Sequence, residues 1–338
     1  MNALVCVKPG EFSFREKVLD KPLPNHVLLK IRRIGICGTD LHAFEGTQPY
    51  FSYPRILGHE LSGDICDWTG TAPPVVSGGR ATFIPYFNCG TCIACRNGKP
   101  NCCTTLNVCG VHSDGGMVEY LQVPADKLVP SDLSYEELAL TEPLAIGAHG
   151  IRRAQVQPGE FVLIVGAGPI GLGVMEFARL AGGQVIAMDV NEDRLLFCKE
   201  NLQVPYTVNA KSPDAMTTIR DITNGDMPTV VIDATGNLQA IEKGFEYLSH
   251  AGRYVLVGLQ RERIGVIHPE FHKREATLMS SRNATREDFQ TVISAMRSGL
   301  INPMNYITHR VSFDQLATKF PTFLDPTQKV IKAMAFLD

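Results

Sequence analysis

Five cysteines stand within the fifteen residues CGTCIACRNGKPNCC, positions 89 to 103 of a chain that has ten in all. Cys89, Cys92 and Cys95 form two overlapping C-x2-C steps, and Cys103 supplies a fourth thiolate. Four sulfurs on one tetrahedral ion, with no His and no open position, describe a closed, structural zinc site. Gly90, Gly98 and Pro100 let the loop fold back on itself, and the metal supplies stability that so short a loop cannot obtain from burial. Cys102 is the spare beside Cys103, although the sequence leaves an exchange of their roles open. Cys6, Cys66, Cys109 and Cys198 are isolated and read as small buried apolar residues.

A second constellation keeps an open side. In GICGTDLH, Cys37 is followed by Thr39, Asp40 and His42; RILGHELSG brings His59 and Glu60; TEPLAIGAHG places Glu142 just before a proline. Cysteine, histidine and one or two carboxylates form a mixed set that suits zinc while leaving a position for water or substrate. Taken singly, each has a plainer reading: a core cysteine, a surface His-Glu pair, a helix-start acid.

The third pattern handles phosphate. GEFVLIVGAGPIGLGVMEFARLAGGQVIAMDVNEDRL predicts a buried strand over 161–165, a glycine turn, a helix, and a second strand that ends at Asp189. Gly166 permits the tight turn, Gly168 lets a pyrophosphate approach the backbone, and Gly171 allows close helix–strand packing, with Pro169 and Ile170 opening the helix whose N-terminus faces the phosphates. Asp189 lies 189 − 171 = 18 residues beyond the last of these glycines. A carboxylate there accepts hydrogen bonds from the adenosine ribose and repels a 2′-phosphate, which selects NAD over NADP. Arg194 nearby packs along the adenine side. Two further strand-like runs, TVVIDATG and GRYVLVGL, bring Thr235, Val257 and Leu259 to strand ends that point at a ligand.

Elements must position these groups. At 338 residues the chain exceeds the size at which one hydrophobic core stops growing, so two domains are expected. With 44% hydrophobic and 20% charged residues the composition is that of folded globular proteins. A formal net charge of −3 gives no electrostatic reason to expect nucleic acid or an anionic membrane as partner. The N-terminus MNALVCVKPGEF has no basic leader and no long apolar core, so the expected location is the cytoplasm, where dense cysteines point to metal rather than disulfides.

In order and type, GICGTD, LGHE, the cysteine loop, DGGMVEYLQVP, TEPLAIGAHG and GAGPIGLG resemble the zinc-dependent medium-chain dehydrogenases over nearly the whole chain. That resemblance implies an α/β fold: a GroES-like, β-rich catalytic domain over residues 1–147 with both zinc sites, a Rossmann doubly wound parallel sheet over 148–283, and a return to the catalytic domain over 284–338. It implies two zinc ions per subunit and NAD, meeting in the cleft between the domains. Cys37 and His59 carry over as catalytic zinc ligands, Glu60 and Glu142 as alternating ligand and water-holder, and Asp40 as the carboxylate that orients His59. The resemblance also implies a proton relay from Thr39 through the cofactor ribose and His42 to solvent; the alternative is that His42 only caps a helix.

Glutamate at 142, where the simple-alcohol branch has cysteine, is similar to the sorbitol, threonine and sugar-alcohol dehydrogenases. HSDGGMVEY and SSRNATREDF resemble sugar-acid oxidoreductases, galactonate dehydrogenases and a starvation-sensing relative among them. The implied reaction is hydride transfer from a secondary hydroxyl of a polyol or sugar acid, such as a hexonate, to NAD. The alternatives are a small secondary alcohol or diol dehydrogenase, or a regulatory NAD-binding protein without catalysis. Tyr50, Phe51, His112, Arg282 and Asn283 are the pocket candidates, and the expected assembly is a homodimer or homotetramer built by pairing Rossmann-sheet edges.

Overall fold

The run HVLLKIRRIGI, largely alternating in its burial, forms the strand His26–Ile36 at the centre of a seven-stranded sheet. In the computed structural model the described residues are 1–48, 51–69 and 77–338. They fall into two compact units, Met1–Pro143 with Thr285–Asp338, and Leu144–Ala284.

In the first unit, His26–Ile36 pairs antiparallel with Glu60–Trp68, Tyr120–Pro124 and Lys332–Phe336. Leu29, Ile31, Ile34, Leu61, Ile65, Phe83 and Met117 are buried on its core side. Register then does what sequence distance hides. Gly35 stands opposite Glu60, and Ile36 opposite Ala333. The residue after the central strand, Cys37, is thereby brought to the same sheet end as Glu60 and Lys332.

The chain leaves that strand into the helix Gly38–Glu45. Cys37 is extended at its N-terminus; its N–H donates to Asp40 Oδ2 at 2.9 Å while the Asp40 N–H donates to the Cys37 carbonyl at 3.0 Å. This reciprocal cap fixes the entry angle of the cysteine. The helix stops at Gly46, whose φ of 80° is the left-handed conformation that glycine adopts without a Cβ penalty.

The second unit holds six parallel strands in the order Tyr206–Asn209, Gln184–Asp189, Phe161–Val165, Val230–Asp233, Arg253–Leu256, Thr277–Ser280. Val162, Leu163 and Ile164 have no exposed surface, as a strand covered on both faces requires. Strand order reverses on either side of Phe161–Val165, and such a reversal opens a crevice beyond the carboxyl ends of the strands. The strand over 161–165 and the one ending at Asp189 lie where the sequence predicts, and the α/β organisation, a β-rich unit plus a doubly wound parallel sheet, is the expected fold class. Among the described residues, no helix is long and apolar enough to cross a membrane.

Candidate active site and metal centres

Cys37, His59 and Glu60 converge, with one ligand atom from each within 4.8 Å of the others. His59 sits on the turn before Glu60–Trp68. Gly58, at φ 94°, makes that turn, and a Cβ there would press on Met117 at 3.1 Å. The Gly58 N–H donates to Asp40 Oδ1 at 3.2 Å. Asp40 thus braces the backbone of both ligand loops, and stands 3.9 Å from Nδ1 of His59 rather than within hydrogen-bond reach.

Glu60 is wholly buried, and both its oxygens accept from the Lys332 ammonium at 2.7 Å; Lys332 also donates to the Ile36 carbonyl at 3.1 Å. Gly35 is required beneath this pair, because a Cβ would lie 2.3 Å from Oε2 of Glu60. Glu142 stands outside the trio of converging ligands and occupies the helix Tyr135–Ala154, one residue before Pro143. Its Oε1 accepts from the phenol of Tyr86, itself 4% exposed. Sequence reasoning missed both Lys332 and Tyr86. The one trace of the former is a lysine opening the otherwise apolar strand KAMAF; an aromatic ahead of a cysteine loop carries no signal.

The electrostatics suit a divalent cation. Burial pushes the His59 imidazole down, but the neighbouring Cys37 and Asp40 outweigh it and hold the ring well above its ordinary value. Burial pushes Glu142 up, His59 opposing and Glu60 adding to the rise. Burial would lower Lys332, yet Glu60 and Cys37 raise it. Nδ1 of His59 is buried without a hydrogen-bond partner among the described residues. Sulfur, imidazole and carboxylate donors, crowded around an unpartnered imidazole nitrogen, fit a zinc ion with an open position.

The sulfurs of Cys89, Cys92, Cys95 and Cys103 also lie within 4.8 Å of one another, whereas Cys102 is exposed and outside the group. Hydrogen bonds from Thr91 and from the Cys92 N–H draw the Cys89 thiol down to about 5, which favours the thiolate that metals bind. None of the ten cysteines is in a disulfide. This donor set fits a closed zinc site.

In the second unit, Gly166 has φ 103° and its added Cβ would meet the Thr235 methyl at 2.9 Å. A Cβ on Gly171 would fall 1.8 Å from the Gly166 carbonyl oxygen, while Gly168 faces open space at the head of the helix Pro169–Leu180. That is a cradle shaped for a pyrophosphate. Asp189 accepts from the Ala167 N–H at 2.7 Å and the Asn191 N–H at 2.9 Å, so the turn itself orients the carboxylate; Arg194 is 3.9 Å away. Asp233, unnoticed in the sequence, accepts from the Gly236 N–H at 3.0 Å and the Thr235 hydroxyl at 2.5 Å, holding that loop over the glycine turn. Thr235 and Leu259 are exposed and Val257 half-buried.

On the helix Gly38–Glu45, Thr39 is half-buried and His42 exposed in the last turn, where its Nδ1 is 3.2 Å from the Thr47 hydroxyl and 3.4 Å from Glu45. Of the pocket candidates, Tyr50 lies outside the described residues. Phe51 packs edge-on against Tyr53 at 4.9 Å, and His112 is exposed, with its Nδ1 accepting from the Val108 N–H. Arg282 is exposed, and Asn283 is left-handed at φ 52°.

Two family descriptions match the chain: "alcohol dehydrogenase GroES-like domain" over residues 23–133 and "zinc-binding dehydrogenase" over 169–298. L-galactonate-5-dehydrogenase of Escherichia coli K12 is 41% identical, over 99% of this chain and 98% of its own. Sorbitol dehydrogenase of Halalkalibacterium halodurans is 28% identical, over 93% and 94%. Among solved structures, a short chain alcohol dehydrogenase (rspB) from Escherichia coli CFT073, complexed with NADH, superposes with a TM-score of 0.93 at 31% identity and covers 100% of this chain and 99% of its own.

Proposed function

This chain belongs to the zinc-binding alcohol dehydrogenase family, and on that premise we propose that it oxidises a secondary hydroxyl of a polyol or sugar acid, such as a hexonate, with NAD as hydride acceptor. The observation that carries the chemistry is the convergence of Cys37, His59 and Glu60 within 4.8 Å. The substrate class is supported by glutamate at position 142 and by the 41% identity to a dehydrogenase of L-galactonate.

Cys37 and His59, with Glu60 or Glu142, would hold the zinc ion, which when bound would supply Lewis acidity to the substrate hydroxyl. The residues of the chain do the rest. Thr39 would relay the proton, giving up its own hydroxyl hydrogen as it accepts one, and His42, at the exposed end of its helix, would pass a proton to solvent. Lys332 pairs with both oxygens of the buried Glu60 carboxylate and holds it in place at the centre. Cys89, Cys92, Cys95 and Cys103 hold a second, structural zinc. Gly166, Gly168, Pro169, Ile170 and Gly171 cradle the pyrophosphate of NAD, Asp189 and Arg194 face the adenosine ribose, and Thr235, Val257 and Leu259 line the remaining strand ends.

The reading extends to assembly and location. Thr277–Ser280 ends the parallel sheet, with Leu278 41% exposed, and Val266 and Ile267 line a groove of about 540 Å³ beside it. An edge strand next to apolar surface suits pairing with a second copy, giving a homodimer or homotetramer of the 37.1 kDa chain. Ten free cysteines suit the cytoplasm.

The test is an absorbance assay for NADH formation with hexonates, pentitols, hexitols and small diols. Turnover of a sugar acid or polyol is expected. Preference for a simple diol moves the substrate class, and NADH binding without turnover of any substrate sinks the enzymatic reading.

A further inference from the structure

The phenol that holds Glu142 is mounted on a very small support. Tyr86 belongs to the strand Tyr86–Phe87, which pairs with Asn107–Val108 in a two-stranded sheet through Tyr86↔Val108 and Phe87↔Asn107. Such a ribbon is marginal in water by itself. Its two arms are joined by residues 88–106, and this is the segment that carries the four clustered cysteines. Tyr86, Phe87 and Asn88 lead directly into Cys89. Asn88 donates to Cys95 Sγ at 3.5 Å and accepts from Lys127 Nζ at 2.5 Å, and on the other side of the tyrosine the Cys109 N–H donates to the Pro85 carbonyl at 2.9 Å. A metal tie among the sulfurs shortens the open loop and so lowers the entropy that opposes closing the ribbon.

We propose that Tyr86 is a positioning residue for Glu142, and that the four-cysteine knot acts on the Cys37–His59 centre through it. The inference deepens the reading of the two clusters as metal sites and rests on it. A carboxylate with one oxygen held by a phenol is fixed in rotation and presents the other foremost to a metal or its water. Once released, Glu142 rotates and offers either oxygen or both. Closing the knot therefore sets the coordination at a centre with which it shares no ligand. Partners of this outer kind typically change metal affinity by about 10- to 100-fold when removed.

The test uses the full chain with zinc in the four-cysteine knot and cobalt(II) titrated into the Cys37–His59 centre, read by its visible absorption. Tyr86→Phe keeps the ring and removes only the hydroxyl. It is expected to shift the cobalt band and to weaken cobalt binding by about 10-fold. Cys92→Ser, which opens the knot, is expected to produce the same shift, and the double variant no more than either single one. Tyr86→Phe with an unaltered band and an affinity within about twofold of the parent overturns the positioning role. A band that Cys92→Ser leaves in place, or shifts additively with Tyr86→Phe, overturns the coupling. If the unaltered chain takes up no cobalt at Cys37 and His59, it is the underlying reading of that centre that fails, a result separable from both.

Discussion

Lys332 and Glu60 form a buried ion pair, 2.7 Å from the ammonium to each carboxylate oxygen, with side chains 2% and 0% exposed. The pair joins the strand Lys332–Phe336, from the far end of the chain, to the strand that follows His59. It also balances charge where Cys37, Glu60, Glu142 and Asp40 would otherwise bring several negative groups together around one imidazole.

Removing the cation alone leaves a carboxylate buried and unpaired. Lys332→Met is therefore expected to cost about 3–5 kcal/mol of stability. Thermal melting of the zinc-loaded protein should show it as a drop of several degrees, with partial recovery when Glu60→Gln is added, because the orphaned charge is then gone. A melting temperature unchanged in Lys332→Met would show that the pair contributes nothing to folding.

Cys37→Ala and His59→Ala each remove one of the converging donors at the centre. Both variants should bind less zinc than the parent and lose all turnover, while binding NADH, read by fluorescence, with the affinity of the parent. Activity that survives in either refutes the catalytic assignment, and lost NADH binding would show that the damage was structural.

Asp189 is held by the Ala167 and Asn191 N–H groups at the end of its strand. Asp189→Ser should erode the preference for NAD over NADP by at least about tenfold, as the ratio of kcat/KM values, since it removes both the acceptor and the repulsion of a 2′-phosphate. A ratio that stays put removes that role.

Glu160 offers a pH signature in the second unit. Burial would push its carboxyl up, but Arg253, the Gln157 N–H and the Thr229 hydroxyl together hold it below its ordinary value of 4.5. A group depressed on folding stabilises the protein above its unfolded pKa and loses that contribution as pH falls through the folded value. Urea midpoints of the parent and of Glu160→Gln should therefore differ at pH 6 and converge as the pH falls below about 4.5. A constant gap from pH 6 to 3 would contradict the sign.

Much of this molecule is legible along the chain. The glycine turn, the strand before it and the acid at the next strand end follow from local rules of backbone conformation and burial, and the structure places all three as those rules require. The four cysteines cluster because they are close in sequence, and the structure decides that Cys103 rather than Cys102 completes the group. His59 and Glu60 could be singled out by residue type, but their approach to Cys37 depends on an antiparallel register that no local pattern encodes.

The sequence by itself determined which residues could bind metal and phosphate, because metals need particular donor side chains and a pyrophosphate needs a glycine turn before a helix. Only the tertiary structure decided what surrounds them. Lys332 is 272 residues from Glu60, and Tyr86 is 56 from Glu142. Contacts at such separations are set by sheet pairing and by the need of a buried polar group for a partner, and neither leaves a periodic trace in the chain.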